Sequence, residues 1–364
     1  MMRDQVTVVI PNYNGMQYIG ACLDSLLAGT LVPEIIVVDN ASDDGSFELI
    51  RDEYQAKRDR FTLLRLKTNT GFCHAVNSGL RITRTPYVCL LNNDTTVDPR
   101  CIEELWTAII QHSRAFSVQA RMLSLRDPDV IDDAGDFYCA LGWAFARGKA
   151  RQAESFMKPG PVFSACAGAA IYRRELFDRI GYFDERHYCY LEDVDIGWRA
   201  RLAGFSNRYE PKAVVYHAGS ATSGSVHNEF KELMTAGNNR YLLWKNMPAF
   251  QYYFNMPLIL LGRAVKRRYF AARGLGEAYE SGLVRGSYLI ERAKYGEAMR
   301  RLDSPEKGTI WEEAGIVSGE EEERERPLIH PLYLGGKVRF SPWRLGNYLA
   351  IQLALWENIG KRLR

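Results

Sequence analysis

The chain has 364 residues, 46% of them hydrophobic, enough for one large α/β domain and an appendage. Its 47 Lys and Arg against 44 Asp and Glu give a net charge of +3, without the basic excess that wholesale nucleic-acid binding needs. Seven scattered cysteines, none spaced as CxxC, argue against a disulfide framework or a zinc site and favour a reducing, cytoplasmic setting.

Residues 6–121 alternate strands and helices. Val6 to Ile10 is an apolar run ended by Pro11, with no leader-like segment before it. Met16, Ile19, Cys22, Leu23, Leu26 and Leu27 then recur at helical spacing. Strands are expected at 35–38, 61–66 and 87–91. Helices are expected at 46–54, at 71–82 and from Pro99, whose missing N–H costs nothing in a first turn. This alternation implies a parallel sheet covered on both faces, with ligands bound beyond the strands' carboxyl ends. The polar clusters 12–14, 39–44 and 92–94 fall at those ends.

Past residue 122 the pattern loosens. Residues 137–163, rich in Gly and aromatics, read as irregular strands or a flap. Helices are expected at 174–180 and 193–203, and a strand at 213–216. From residue 249 an apolar-aromatic segment runs into a basic cluster, and 343–364 reads as an amphipathic helix. No run of about 18 apolar residues appears, so a spanning helix is not expected.

Several of these segments carry polar groups with chemical potential. In IPNYNG, Pro11, Tyr13 and Asn14 follow the first strand, though many strand–turn–helix junctions hold such residues. In VVDNASDDGS, Asp39 and its neighbour Asn40 sit at the crevice edge, where a carboxylate can accept hydrogen bonds from a base or ribose. Asp43, Asp44 and Ser46 read as turn and cap. In NTGFCHAVNSG, Gly71 either frees N–H groups toward a ligand or merely turns the chain, and Asn77 lies on the helix that follows.

In LNNDT, Asp94 is the only carboxylate beside Asn92 and Asn93. It could hold a divalent cation, Mg2+ or Mn2+, against a diphosphate, or simply belong to a polar loop. In YLEDVDIGWR, Glu192 and Asp193 open a helix as ordinary first-turn acids or as a base for an acceptor hydroxyl. Asp195 and Arg199, four apart, are expected to pair. His217 after a strand and Gly168 in a small apolar loop each have a structural reading and a site reading. Arg240 could grip a phosphate or be a helix-surface charge.

In this order and spacing the segments resemble the nucleotide-binding half of the family 2 glycosyltransferases of the GT-A fold, from residue 5 to 247. The resemblance implies a GT-A-like Rossmann-type domain with a mixed central sheet at 1–247 and a helical C-terminal region at 248–364. It implies inverting transfer from a nucleotide diphosphate sugar to a hydroxyl of a cell-surface polysaccharide or a lipid-linked acceptor. Asp193, second of the Glu-Asp pair, takes the base's place, with Glu192 its first substitute. Asn92-Asn93-Asp94 stands where the family has DxD; its first Asp is Asn here, so only Asp94 carries over as a metal ligand. His217 lies where the family places a His near the metal or diphosphate, and the Gly168 loop where it faces donor sugar or acceptor. The LNNDT variant resembles the rhamnosyltransferase branch, which points to dTDP-rhamnose, although UDP-sugars fit the same motifs.

A dehydrogenase is disfavoured because the first turn lacks GxGxxG. A non-catalytic sugar-nucleotide-binding or scaffold protein of the same fold is the alternative. The two C-terminal apolar-basic segments are read as peripheral contacts on the inner face of the plasma membrane, or as surfaces that pack on each other or in a homo-oligomer.

Overall fold

The computed structural model describes residues 4–219, 227–295, 333–334, 337–338 and 340–363. The acidic run at 320–323 lies outside them.

The first four parallel strands form where the apolar runs predicted them: β1 (Val6–Asn12), β2 (Glu34–Asp39), β3 (Phe61–Arg65) and β4 (Tyr87–Leu91). Valines and isoleucines fill both faces of β1 and β2, as a doubly covered sheet requires. Helices α1 (Ile19–Leu27), α3 (Phe72–Ile82) and α4 (Cys101–Gln111) cover the faces, while α2 (Ser46–Leu49) continues as a widened helical turn over Ile50–Tyr54. After β4 come β5 (Thr95–Val97), β6 (Ala115–Ser124), β7 (Ile131–Asp133), β8 (Asp136–Cys139), β9 (Trp143–Ala146), β10 (Gly160–Val162), β11 (Ala169–Arg173) and β12 (Ser206–His217).

The sheet order is β10-β12-β6-β11-β4-β1-β2-β3, with β5 on β12 and β7 on β6. Strand β11 runs antiparallel to both neighbours, so the sheet is mixed, as expected. The chain steps from β1 to β2 to β3 in one direction and returns to place β4 on β1's other side. That reversal makes the junction of β1 and β4 a switch point where a crevice opens. Pairing of β1 with β4 ends at Val9–Leu90, whereas pairing with β2 continues to Asn12–Asp39. Pro11, which has no N–H to donate, lies just past that parting.

Helices α5 (Glu175–Ile180) and α6 (Glu192–Leu202) complete this part. The expected Asp195–Arg199 pair forms at 2.9 Å and is buried. The guanidinium also donates to the carbonyls of Ile180, Gly181 and Tyr182, which ties the later part of α6 to the end of α5.

The described residues fall into two compact units. One holds those of Met1–Cys139, Ala144–Gly224 and Arg344–Arg364, the other those of Ala140–Trp143 and Ser225–Trp343. This differs from a division at residue 247 in two ways. Helix α7 (Glu229–Asn246) belongs with α8 (Ala249–Ala271) and α9 (Gly276–Tyr295) in the second unit. The terminal helix α10 (Leu345–Leu363) returns to the first unit, burying Tyr348, Ile351 and Leu355, with Asn358 donating to the Tyr138 carbonyl at 2.9 Å. No helix among the described residues is long and apolar enough to cross a membrane.

Candidate active site

The strand ends are tied together by one amide. Asn12, fully buried, donates to Asp39 Oδ1 at 3.0 Å and to the hydroxyls of Ser42 and Ser46, and it accepts from Asn93 Nδ2 at 2.9 Å. Those bonds join β1, the β2 loop and the β4 loop across the switch point. A Cβ on Gly15 would lie 2.2 Å from Asn12 Oδ1 and 2.3 Å from Asn93 Nδ2, so only glycine leaves room for that bond.

Asp39 is sealed beneath the β2 loop, accepting from Ser42 N at 3.1 Å, with Arg65 Nε 3.7 Å away. Asn40 braces the next loop through Asn69 Oδ1, the Gly71 carbonyl and Thr70 N. Gly71 has φ +84°, and a Cβ there would sit 2.4 Å from the Tyr188 ring. Tyr13 and Asn14 are exposed at the lip.

Asn77 behaves differently from the expectation of donor contact. It is buried, its Nδ2 donates to the Phe183 carbonyl and Glu185 Oε1, both at 2.8 Å, and its Oδ1 accepts from Phe183 N. An amide so occupied holds the turn before α6 instead of reaching a ligand. Arg240 lies on α7 in the second unit, where it donates to the Leu283 carbonyl at 3.3 Å. That bond is a helix-packing contact and supplies no link to a phosphate.

Beyond β4, Asn92 N donates to the Gly168 carbonyl at 2.9 Å, and Gly168 presses against the Asn92 side chain, where a Cβ would come within 3.0 Å. Asp94 follows, mostly buried. The β5–β12 register pairs Thr95 with His217 and so brings His217 Nε2 to 3.2 Å from Asp94 Oδ1. Asp132, missed in the sequence reading, binds the other ring nitrogen at 2.9 Å and is itself paired with Lys149.

A carboxylate behind a histidine fixes the ring and its tautomer, an arrangement common behind metal-ligating histidines. Burial works against charging His217, but hydrogen bonds to Asp132 and Asp94 outweigh it and raise the pKa to about 9. A cation could take that proton's place. Two ligands at about 2.1 Å from one octahedral ion lie about 3.0 Å apart, close to the observed spacing, and an imidazole beside a carboxylate suits Mn2+ better than Mg2+, which prefers oxygen ligands throughout.

The second polar centre is the start of α6. Tyr188, Tyr190 and Leu191 have φ of 63°, 70° and 65°, a run of non-glycine residues in the left-handed region immediately before Glu192. Such strain persists only where surrounding structure enforces it, and it gathers at functional sites. Asp193 is half-buried and accepts from Val194 N at 2.7 Å. Burial pushes its pKa up to about 6, against the pull of backbone N–H groups and the Cys166 thiol. Glu192 is buried beside it, its carboxyl held well above the usual range by burial and by Asp193, and its Oε2 has no hydrogen-bond partner among the described residues.

Asp133 and Asp136 also crowd this centre. Burial raises both, Asp133 to about 6 although Gln119 and Gly135 N donate to it. With Cys166 they place three donor atoms within 4.8 Å of one another. Adjacent residues on β7 face opposite ways, so Asp132 meets His217 while Asp133 turns toward Gln119. The one sequence signal for these residues was three Asp within five positions of an otherwise apolar stretch.

A mixed sheet with a crevice at its switch point, an Asp–His pair on one side and a raised carboxyl on a helix start on the other, defines the class: a GT-A-type enzyme fold. Residues 7–181 match the family described as Glycosyl transferase family 2. The N-acetylglucosaminyl-diphospho-decaprenol L-rhamnosyltransferase of Mycobacterium tuberculosis is 28% identical over 252 residues, 61% of this chain and 79% of that protein. A mannosyltransferase of Pyrobaculum calidifontis, solved with GDP-Man and Mn2+, superposes with TM-score 0.50 at 19% identity, over 81% of this chain and 87% of that one. GalNAc-T7, solved with UDP, GalNAc and Mn2+, superposes with TM-score 0.53 at 16% identity, over 66% of this chain and 48% of that one. Over residues 7–181 the chain is thus similar to the family 2 glycosyltransferases, and over a longer stretch it resembles a rhamnosyltransferase.

Proposed function

We propose that the protein is an inverting, metal-dependent transferase. It takes a sugar from a nucleotide diphosphate donor to a hydroxyl of a lipid-linked or polysaccharide acceptor at the cytoplasmic face of the membrane. The observation that carries this is the pairing of two unlike centres in one unit. Asp94 and His217 converge at 3.2 Å, backed by Asp132, and a carboxyl with pKa near 6 stands at the start of α6.

In this reading the diphosphate lies over the ends of β1, β2 and β4. Asp39 and Asn40 hold the loops that meet the base and ribose, Gly71 lets the Tyr188 ring close on the turn beside them, and Asn92, Asn93 and Gly168 border the sugar. Pro11, Tyr13 and Asn14 form the lip. Asp94 and His217 would hold the divalent ion, whose charge would stabilise the departing diphosphate. Asp193 takes the proton of the acceptor hydroxyl as that oxygen attacks the anomeric carbon. The bond from carbon to diphosphate oxygen breaks on the opposite side, which inverts the centre. Glu192, kept neutral by burial, is a poorer base than its neighbour at neutral pH. The relative's name, a rhamnosyltransferase acting on a polyprenyl diphosphate sugar, supports a deoxysugar donor such as dTDP-rhamnose and a lipid-linked acceptor.

Thermal shift with dTDP-rhamnose, UDP-glucose and GDP-mannose, with and without Mn2+, tests the donor and the ion together. Asp94→Ala is expected to lose the Mn2+-dependent part of the shift. A shift of equal size in EDTA, in both wild type and variant, would remove the metal from the mechanism. Stabilisation by the UDP-sugar and not by dTDP-rhamnose would reassign the donor.

A further inference from the structure

Two half-buried arginines of the first unit stand against the same tyrosine. Arg121 lies in the C-terminal half of β6, and Arg147 directly follows β9. The backbone pins Arg147: its N–H donates to the Gly135 carbonyl at 2.7 Å, and its carbonyl accepts from Ala134 N at 3.0 Å. Its guanidinium lies 5.3 Å over the Phe156 ring and 5.1 Å over that of Tyr209. Gly148, with φ +78°, leaves room for the Phe156 ring, since a Cβ there would come within 2.6 Å of it. Arg121 meets Met157 Sδ, one residue along from Phe156, whose carbonyl accepts from the Tyr209 hydroxyl at 2.9 Å. Both guanidiniums act on that hydroxyl, pulling its pKa down against burial, which still holds it well above the ordinary value.

Neither arginine has a carboxylate at ion-pair distance among the described residues. Arg147 Nη1 donates to the Ala134 carbonyl at 3.4 Å, Arg121 Nη1 meets only a thioether, a weak acceptor, and Arg121 Nε is buried with no hydrogen-bond partner. The acids nearby are engaged elsewhere. Asp132 pairs with His217 and Lys149, and Asp133 accepts from Gln119 and Gly135 N. Glu210, next to Tyr209 on β12, accepts from Lys212 N and acts on His112. A guanidinium cannot shed its proton, and ring faces offset only part of the penalty of withdrawing it from water. A bound anion would remove the rest, and two planar forks match the oxygens of a phosphate group.

Topology separates this anion from the donor. Strand β11 runs antiparallel to both β4 and β6, so β6 points the same way as β4, and Arg121 lies toward the crevice edge of the sheet. It is two strands beyond β4, on the side away from the β1–β4 switch point. Asp133 is close enough to both Asp193 and Tyr209 for charge to act between them, which sets the arginines on the flank of the α6 centre. We propose that Arg121 and Arg147 form a subsite for the diphosphate of a glycosyl diphosphate acceptor, separate from the place of the donor's diphosphate. In such an acceptor the sugar ring lies between the diphosphate and the hydroxyl that attacks. An anion held beside the α6 centre and outside the nucleotide crevice therefore sets that hydroxyl toward Asp193. The role rests on the transferase reading given above, but the test reads binding without turnover, so the two can fail separately.

Farnesyl diphosphate, a soluble prenyl diphosphate, is titrated calorimetrically into the full chain in EDTA, which silences any metal-dependent donor site. Wild type is expected to bind it, less tightly as salt rises, and inorganic pyrophosphate is expected to compete. Arg121→Gln and Arg147→Gln are each expected to weaken binding about tenfold or more, and Arg147→Lys to fall between, since an ammonium keeps the charge and loses the fork. The Mn2+-dependent thermal shift with donor is expected to persist in all three, which also reports that they fold. No binding by wild type, or no competition by pyrophosphate, overturns the proposal without recourse to a variant. So does binding left unchanged in both Gln variants. Loss of the donor shift along with farnesyl diphosphate binding would put the arginines in the donor site. Gln variants that lose binding to phosphatidylglycerol vesicles but keep farnesyl diphosphate would assign them to lipid headgroups, and either result overturns the acceptor subsite.

Discussion

Two polar regions of the first unit settle their charges in opposite ways. At the ends of β1, β2 and β4, Asn12 places each amide hydrogen bond on a partner, and Asp39, although buried, is met by Asn12 and Ser42 N. At the start of α6, Glu192, Asp193, Asp133 and Asp136 crowd together. Burial raises all four, and Glu192 Oε2 and Asp136 Oδ2 lack partners among the described residues. In the proposed reading, the difference separates a scaffold from a reactive centre. A satisfied network fixes loop positions at little cost, whereas unsatisfied carboxyls hold protons that a reaction can use.

The comparison can be broken most sharply at Asp193. Asp193→Asn is expected to lower turnover about 10²- to 10⁴-fold while the thermal shift from donor persists. Near-normal turnover would move the base elsewhere, and a lost donor shift would place Asp193 in binding instead. In the scaffold the consequence falls on stability. Asn12→Ala strips hydrogen bonds from Asp39, Ser42, Ser46 and Asn93 at once, and a loss of about 2–4 kcal/mol is expected in urea unfolding. A loss under about 1 kcal/mol would mean that the strand-end network is not a framework.

The smallest effect is the most diagnostic. The folded state holds the Asp193 proton to about pH 6, above its ordinary value of 3.8. The stability linked to it is therefore full below about pH 4 and lost as pH rises through about 6. Asp193→Asn removes that loss, so the inactive variant should be the more stable by on the order of 1–3 kcal/mol at pH 7, with the gain absent at pH 3.5. Wild-type kcat/KM should rise about tenfold per unit below pH 6 and level above it, as the base loses its proton. A flat profile from pH 5 to 8, or a variant that melts lower than wild type at pH 7, would deny the α6 acids their strain.

Much of this architecture was legible in the residues. Runs such as Val6 to Ile10 and Ile35 to Val38 can be buried on both faces only in a covered parallel sheet, and the polar residues that end them stand at the crevice. Helical spacing also marked α6, its Asp195–Arg199 pair and the terminal helix. These features depend on neighbours within a turn or a strand, which periodicity reports. Pairings between distant segments were another matter. His217 meets Asp94 because β12 takes its register on β5, and Asp132 and Asp133 arrive because β7 folds back on β6. Asn77 turns inward because a loop more than a hundred residues later offers it Phe183 and Glu185. The terminal helix joins the first unit although the second lies between them in sequence. A side chain's partner, and with it the choice between ligand contact and internal brace, is set by which distant backbone comes to lie beside it. Alternation along one strand determines its faces but not the register that brings another strand's carboxylate to 3.2 Å.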